Sequence, residues 1–233
     1  MIAHSTHANQ THTSDAADAH AHAADQAAAK AGCPYHKAML AARRNHPNAT
    51  NQPAEPPPPD PLALRIAERL QTEPNAMTMM LARELGVSEL HVIQRLPHNR
   101  SARLCADHLE HILRDLEPLG PVHVIVSNAG VTVEVFGQFG NFSRTGPWLN
   151  VQSRTLDMHI NTNQIAHAYA VTKPSHMDGR ETLSIQFYDP RGTAVFKVFL
   201  TFGGTEPPPE KRAAFGQLVH TYRDQTPPAP ESA

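Results

Sequence analysis

The chain has 233 residues, 40% of them hydrophobic, and a formal net charge of −2, which allows one ordinary domain with extensions. That charge excludes a general nucleic-acid or membrane-surface binder, and no apolar run is long enough to span a bilayer. The two cysteines, Cys33 and Cys105, do not make a disulfide framework.

The opening Met1-Ile2-Ala3-His4 has neither the basic start nor the apolar stretch of a secretory signal, so a cytoplasmic location is expected. Residues 1 to 60 are rich in Ala, His, Thr, Asn and Pro and poor in large apolar side chains. They are expected to be a disordered tail, because too little surface is available to offset the entropy of ordering. Pro56 to Pro59 close it as a stiff polyproline linker.

The domain is expected over residues 61–223. Pro61 to Leu70 predicts a first helix and Met77 to Leu85 a second, which Gly86 caps. Ser88 is placed to cap a third helix running to Leu96, where Pro97 ends it. Ser101 to Leu119 predicts the longest helix, with Leu104, His108, Ile112, Leu113 and Leu116 along one side.

At Val122 the period changes to two. Val122, Val124 and Val126 are expected on one face, and His123, Ile125 and Ser127 on the other. Asn128-Ala129-Gly130 turns the chain into a returning strand with Val131, Val133 and Val135. Further strands are predicted at Leu149 to Val151, Thr155 to Ile160, Ile165 to Val171, Thr182 to Tyr188 and Ala194 to Phe202. Asp189-Pro190-Arg191-Gly192 is a hairpin turn. Glu210 to Tyr222 predicts a closing amphipathic helix, and residues 224–233 a loose Pro-rich tail. N-terminal helices, a large antiparallel sheet and a C-terminal helix make an α+β fold with a single repeat.

In the strand ending at Ile160, Leu156, Met158 and Ile160 share one face and Asp157, His159 and Asn161 the other. His159 therefore lies opposite the core, open to a ligand. From periodicity alone a half-exposed surface histidine is the simpler reading.

Gly146-Pro147-Trp148-Leu149-Asn150-Val151 followed by Leu156-Asp157-Met158-His159-Ile160 resembles the bacterial haem-utilisation proteins. These are the ChuX/HutX-type cytosolic carriers and the repeats of the longer HemS/ChuS-type proteins, which also resemble the chain at Lys173-Pro174. The resemblance implies a haem-binding carrier that works as a homodimer. It would pass haem to a degrading enzyme or an apo-haemoprotein, with transient contact at an inner-membrane importer. It also implies His159 as axial iron ligand, the role an imidazole commonly takes towards haem. Trp148 cannot ligate iron and is expected to stack on the porphyrin or pack the core.

The carriers' second histidine falls at Ser127, a poor iron ligand, with His123 on the same face as its substitute. Arg144, Lys173, Arg180, Arg191 and Lys197 offer charge to the propionates, Arg144 and Lys173 being nearest the recognised motifs. Independently, Cys33-Pro34 resembles the haem regulatory motif and makes Cys33 a further candidate ligand, beside the tail histidines.

Two rival readings stand. A haem-degrading enzyme of HemS type needs only bound haem, O₂ and electrons, though no nucleophile–base, phosphate-loop or nucleotide fingerprint is present. Leu81 to Leu96 resembles a helix-turn-helix, but its second helix carries Glu89, His91, Gln94 and Arg95 in a slightly acidic chain, a poor match for DNA.

Overall fold

The computed structural model describes residues 60–224. The expected tails, Cys33 among them, lie outside the described residues save for their inner edges. Among the described residues three helices come first: α1 (Pro61–Thr72), α2 (Thr78–Leu85) and α3 (Glu89–Ile93). Asp60 caps α1 by accepting from the Leu62 amide, and Ser88 caps α3 by accepting from His91. Gly86 ends α2 in the left-handed conformation, at φ 69°.

Nine strands follow, in two sheets. The larger has the order β1-β7-β8-β9-β2-β3 and the smaller β4-β5-β6, and every pairing is antiparallel. The strands are β1 (Ser101–Leu104), β2 (Val122–Ser127), β3 (Thr132–Gly137), β4 (Phe142–Thr145) and β5 (Trp148–Gln152), then β6 (Asp157–Asn161), β7 (His167–Pro174), β8 (Glu181–Tyr188) and β9 (Ala194–Thr201). Helix α4 (Leu109–Arg114) lies between β1 and β2, and α5 (Pro209–Tyr222) closes the fold.

Alternation divides each sheet. Val122 and Val124 of β2, Ala168 and Ala170 of β7 and Phe196 and Val198 of β9 enter one core. Leu149, Val151 and Ile160 of the small sheet join them there, with α4 and α5. On the other face of the large sheet, Tyr169, Val171 and Tyr188 pack against α1, α2 and α3 through Ile66, Leu81, Leu90 and Ile93. The large sheet is thus covered on both faces, but the helices cover only part of the second one.

The predicted long helix over Ser101–Leu119 is corrected. Ser101–Leu104 is strand β1, paired with β7 from Ser101↔Val171 to Leu104↔Ala168, and the Cys105 amide donates to the Tyr222 carbonyl. A free sheet edge offers this segment a full ladder, and tertiary pairing outweighs helical periodicity. Only Leu109–Arg114 is α-helical, flanked by 3₁₀ turns at Ala106–His108 and Glu117–Leu119, the second containing Pro118. The apolar positions were read correctly: Leu104, Ile112, Leu113 and Leu116 are all buried.

The helix-turn-helix resemblance meets a clear geometry. Helix α3 is five residues long, and Glu89, Leu90, Val92 and Ile93 are buried in it. The Leu90 amide donates to the Gly192 carbonyl at 3.1 Å, so α3 is docked on the β8–β9 turn. Gly192 has φ 79°, and a Cβ there would press on Ser88 and Leu90. A recognition helix has to present a free face, and this one is committed to the fold.

Candidate functional site

The candidate residues fall on two surfaces. The first is the outer face of the small sheet. Cross-strand register pairs Ser143 with Asn150 and Asn150 with His159, so the three form a row. His159 Nδ1 lies 2.6 Å from Asn150 Oδ1, and Asn150 Nδ2 donates to Ser143 Oγ at 3.1 Å. An amide oxygen only accepts, so Nδ1 carries a hydrogen and Nε2 is the nitrogen directed away from the Asn150 side chain. The side chain is 57% exposed, and Asp157 Oδ1 is 3.6 Å from Nε2. Trp148 lies two residues along β5 from Asn150 on the same face and is 44% exposed, so it does not pack the core. Met158 and Ile160 point the other way, into the core, as alternation predicted.

Arg144 does not join this row. It is opposite Leu149, which faces the core, and its guanidinium binds Glu110 Oε2 at 2.7 Å and Thr162 Oγ1 at 3.3 Å. It ties β4 to α4 instead of facing His159 and Trp148.

The second surface is the uncovered part of the large sheet, beneath α2. A cavity of about 300 Å³ opens there, its apolar walls including Met77, Met79, Ile125, Phe199 and Phe202. Lys173 lines it, with Nζ bound to the Pro174 carbonyl at 2.7 Å and the Asn75 carbonyl at 3.5 Å. Burial first, and the nearby Lys197 second, lower the Lys173 ammonium to a pKa of about 8. Lys197 also lines the cavity, but a carboxylate already holds it: Nζ is 2.5 Å from Glu89 Oε1, which also accepts from Thr78 Oγ1 at 2.5 Å. That network joins α2, α3 and β9.

His123 is beside this cavity. It shares the face of Ile125, its Nε2 is 3.0 Å from Glu134 Oε2, and its ring centroid is 4.3 Å from that of Phe202. Glu134, Phe202 and Ser127 are themselves cavity residues. Acting as a ligand through Nε2, His123 has to give up the Glu134 contact.

Sequence reasoning placed His159 on the face opposite the core and named Lys173 as a cation near the recognised motifs, but did not see that they belong to different sheets. It also missed the part of Asn150 in fixing the His159 ring, the Glu89–Lys197 pair and the methionines of α2. The Asn150↔His159 register would have been legible had Trp148–Gln152 and Asp157–Asn161 been treated as a hairpin. Nothing in the sequence pairs Glu89 with Lys197, 108 residues away.

Among the described residues no helix is long and apolar enough to cross a membrane. The described residues thus form a nine-stranded antiparallel α+β unit with an exposed imidazole on one sheet and a lysine in an apolar cavity on the other. Residues 86–222 match the family model described as the haemin-degrading HemS.ChuX domain, and the chain belongs to that family.

The chain is 28% identical over 141 residues to the intracellular heme transport protein HutX of Vibrio cholerae, covering 60% of this chain and 72% of that one. It is 32% identical over 122 residues to the hemin transport protein HemS of Yersinia enterocolitica, where the match covers 52% of this chain and 34% of that one. Among solved structures, that of the heme-binding protein ChuX superposes with a TM-score of 0.59 at 24% identity, covering 67% of this chain and 97% of ChuX. Holo-PhuS, a heme-binding protein from Pseudomonas aeruginosa, gives 0.57 at 22% identity, with 76% of this chain and 51% of that one covered. The fold is that of the single-repeat ChuX.

Proposed function

We propose that the chain is an intracellular, cytoplasmic haem carrier that holds haem as cargo and passes it on intact. Family membership supports haem as the ligand, and the likeness to the HutX transport protein supports carriage. The observation that carries the site is the Asn150–His159 hydrogen bond. It sets the ring plane and occupies Nδ1, so Nε2, with the Asp157 carboxylate 3.6 Å away, is the nitrogen left for a metal. His159 is the proposed axial ligand, and Trp148 offers a flat apolar face alongside for the macrocycle.

An open sheet face suits a carrier. A ligand held there is reached without a lid, and the propionates are left to solvent or to a protein docked for exchange. The proposed partners are a second copy of the chain, a haem-accepting or haem-degrading protein and, transiently, a haem importer.

The test is a haemin titration of the full chain followed by absorbance. Saturable binding with a sharp Soret band, weakened or displaced in His159→Ala, is the expected result. An identical spectrum in that variant removes His159 from the site.

A second reading of the seat is favoured by the cavity. Its apolar walls match a porphyrin edge, and Lys173 is a cation that, among the described residues, carbonyl oxygens alone hold, placed to meet a propionate.

A further inference from the structure

The β7–β8 connection brings a histidine to the cavity that neither the motif comparison nor the sequence reading assigned. Residues 175 to 180 form a tight turn: the Ser175 amide donates to the Arg180 carbonyl at 2.7 Å and the Gly179 amide to the Ser175 carbonyl at 3.0 Å. The Ser175 side chain is buried, and its Oγ accepts from the Met177 amide at 3.1 Å. Asp178 ties the turn to the segment after β9 by accepting from the Gly204 amide at 2.7 Å. These bonds brace the backbone of the turn at both ends and so fix where the His176 Cα sits beside the cavity.

His176 sits in that turn and lines the cavity that Lys173 lines, three residues along the chain. Among the described residues no hydrogen bond or ion pair holds its ring, and it is exposed. His123, by contrast, has its Nε2 against Glu134. Of the two histidines at this surface, His176 offers a nitrogen to a ligand without giving up an existing contact. The same cavity supplies apolar walls, a cation for a carboxylate and the Met77 and Met79 side chains, whose flexible thioethers adapt to an irregular or flat guest.

We infer that His176 is the iron ligand for haem seated in the cavity, an inference that rests on the haem reading and on the cavity as a seat. His176 supplies the imidazole, Lys173 meets a propionate, and Phe199 and Phe202 meet the ring. The chain then has two imidazole ligands on different sheets, His159 on the open face and His176 in the cavity.

The experiment is a haemin titration of five full-length forms: the unaltered chain, His159→Ala, His176→Ala, the double variant of these two, and Lys173→Met. Metal-free protoporphyrin is titrated in parallel. His159→Ala is expected to retain a saturable Soret band that the double variant loses, with affinity at least about tenfold weaker. Added imidazole is expected to restore the band in the double variant. Protoporphyrin, which needs no axial ligand, is expected to bind His176→Ala as it binds the unaltered chain and to bind Lys173→Met more weakly.

Three results overturn the inference. They are a Soret band that vanishes entirely in His159→Ala, a band that is the same in His159→Ala and the double variant, and a band that weakens in Lys173→Met but stays unchanged in His176→Ala. In each case haem binding itself still stands. Failure of the unaltered chain to bind haemin saturably is a separate result and removes the haem reading.

Discussion

A β-strand shows every second side chain to one face, and at His159 that alternation opposes Met158 and Ile160 in the core to an imidazole in solvent. Alternation alone leaves the ring free to turn and to carry its hydrogen on either nitrogen. Asn150, opposite in the register, removes both freedoms. Asn150→Leu is therefore expected to weaken haemin binding about 10- to 100-fold with Nε2 still present, the range seen when a partner that orients a metal-binding histidine is lost. Titration against the unaltered chain checks this, and equal affinities would count against the role given to the hydrogen bond.

Lys173 gives a prediction in pH. Burial and Lys197 hold its ammonium at a pKa of about 8, so it is charged below that value and neutral above it. A carboxylate held in the cavity loses its cation as pH rises, and affinity for metal-free protoporphyrin is expected to fall from about pH 7 to about pH 9. In Lys173→Arg the guanidinium stays charged across that window and the fall is expected to disappear. A fall of the same size in both forms would place the effect elsewhere.

At the scale of elements, the small sheet and the uncovered part of the large sheet are built differently. The small sheet holds His159, the proposed ligand, by cross-strand pairing over a few residues. The cavity depends on α2 and α3 staying docked, which Leu90, Ile93 and the Glu89 network with Thr78 and Lys197 achieve. Glu89→Ala leaves the mostly buried Lys197 ammonium uncompensated and is expected to cost about 3–5 kcal/mol, read from denaturant unfolding. The double variant with Lys197→Met is expected to regain much of that loss. A single variant as stable as the parent would show that water already compensates the charge.

What the sequence could tell is visible in the same elements. Strands with clean alternation, β2 and β6, were read with the correct faces, and caps at Gly86 and Ser88 marked the ends of α2 and α3. Asn128 was read as a turn residue, and its Oδ1 accepts from Gly130 and Val131. Strand β1 was misread because Ser101–Leu104 is too short to show a period of two and Leu104 fits the helical spacing of Ile112 and Leu116. Strand β4 went unseen: Phe142–Thr145 carries one apolar residue in four. Cavities and buried ion pairs arise from contacts between distant segments, on which local pattern is silent.

At the scale of the whole molecule, one repeat of the HemS.ChuX fold exposes two surfaces away from its shared core, and the candidate ligands divide between them. Such a layout suits a protein that receives and releases its cargo. An enzyme that degrades haem would instead need O₂ and electrons brought to one protected iron.

The central claim is carriage of intact haem, and the most direct test is transfer. The haemin-loaded full chain is mixed with apomyoglobin in the presence of catalase and an electron donor, and the visible spectrum is followed. The account predicts complete appearance of the myoglobin spectrum with no absorbance from a biliverdin-like product. Loss of the Soret band with growth of such a product, persisting while catalase removes free peroxide, would contradict it and make the chain a haem-degrading enzyme.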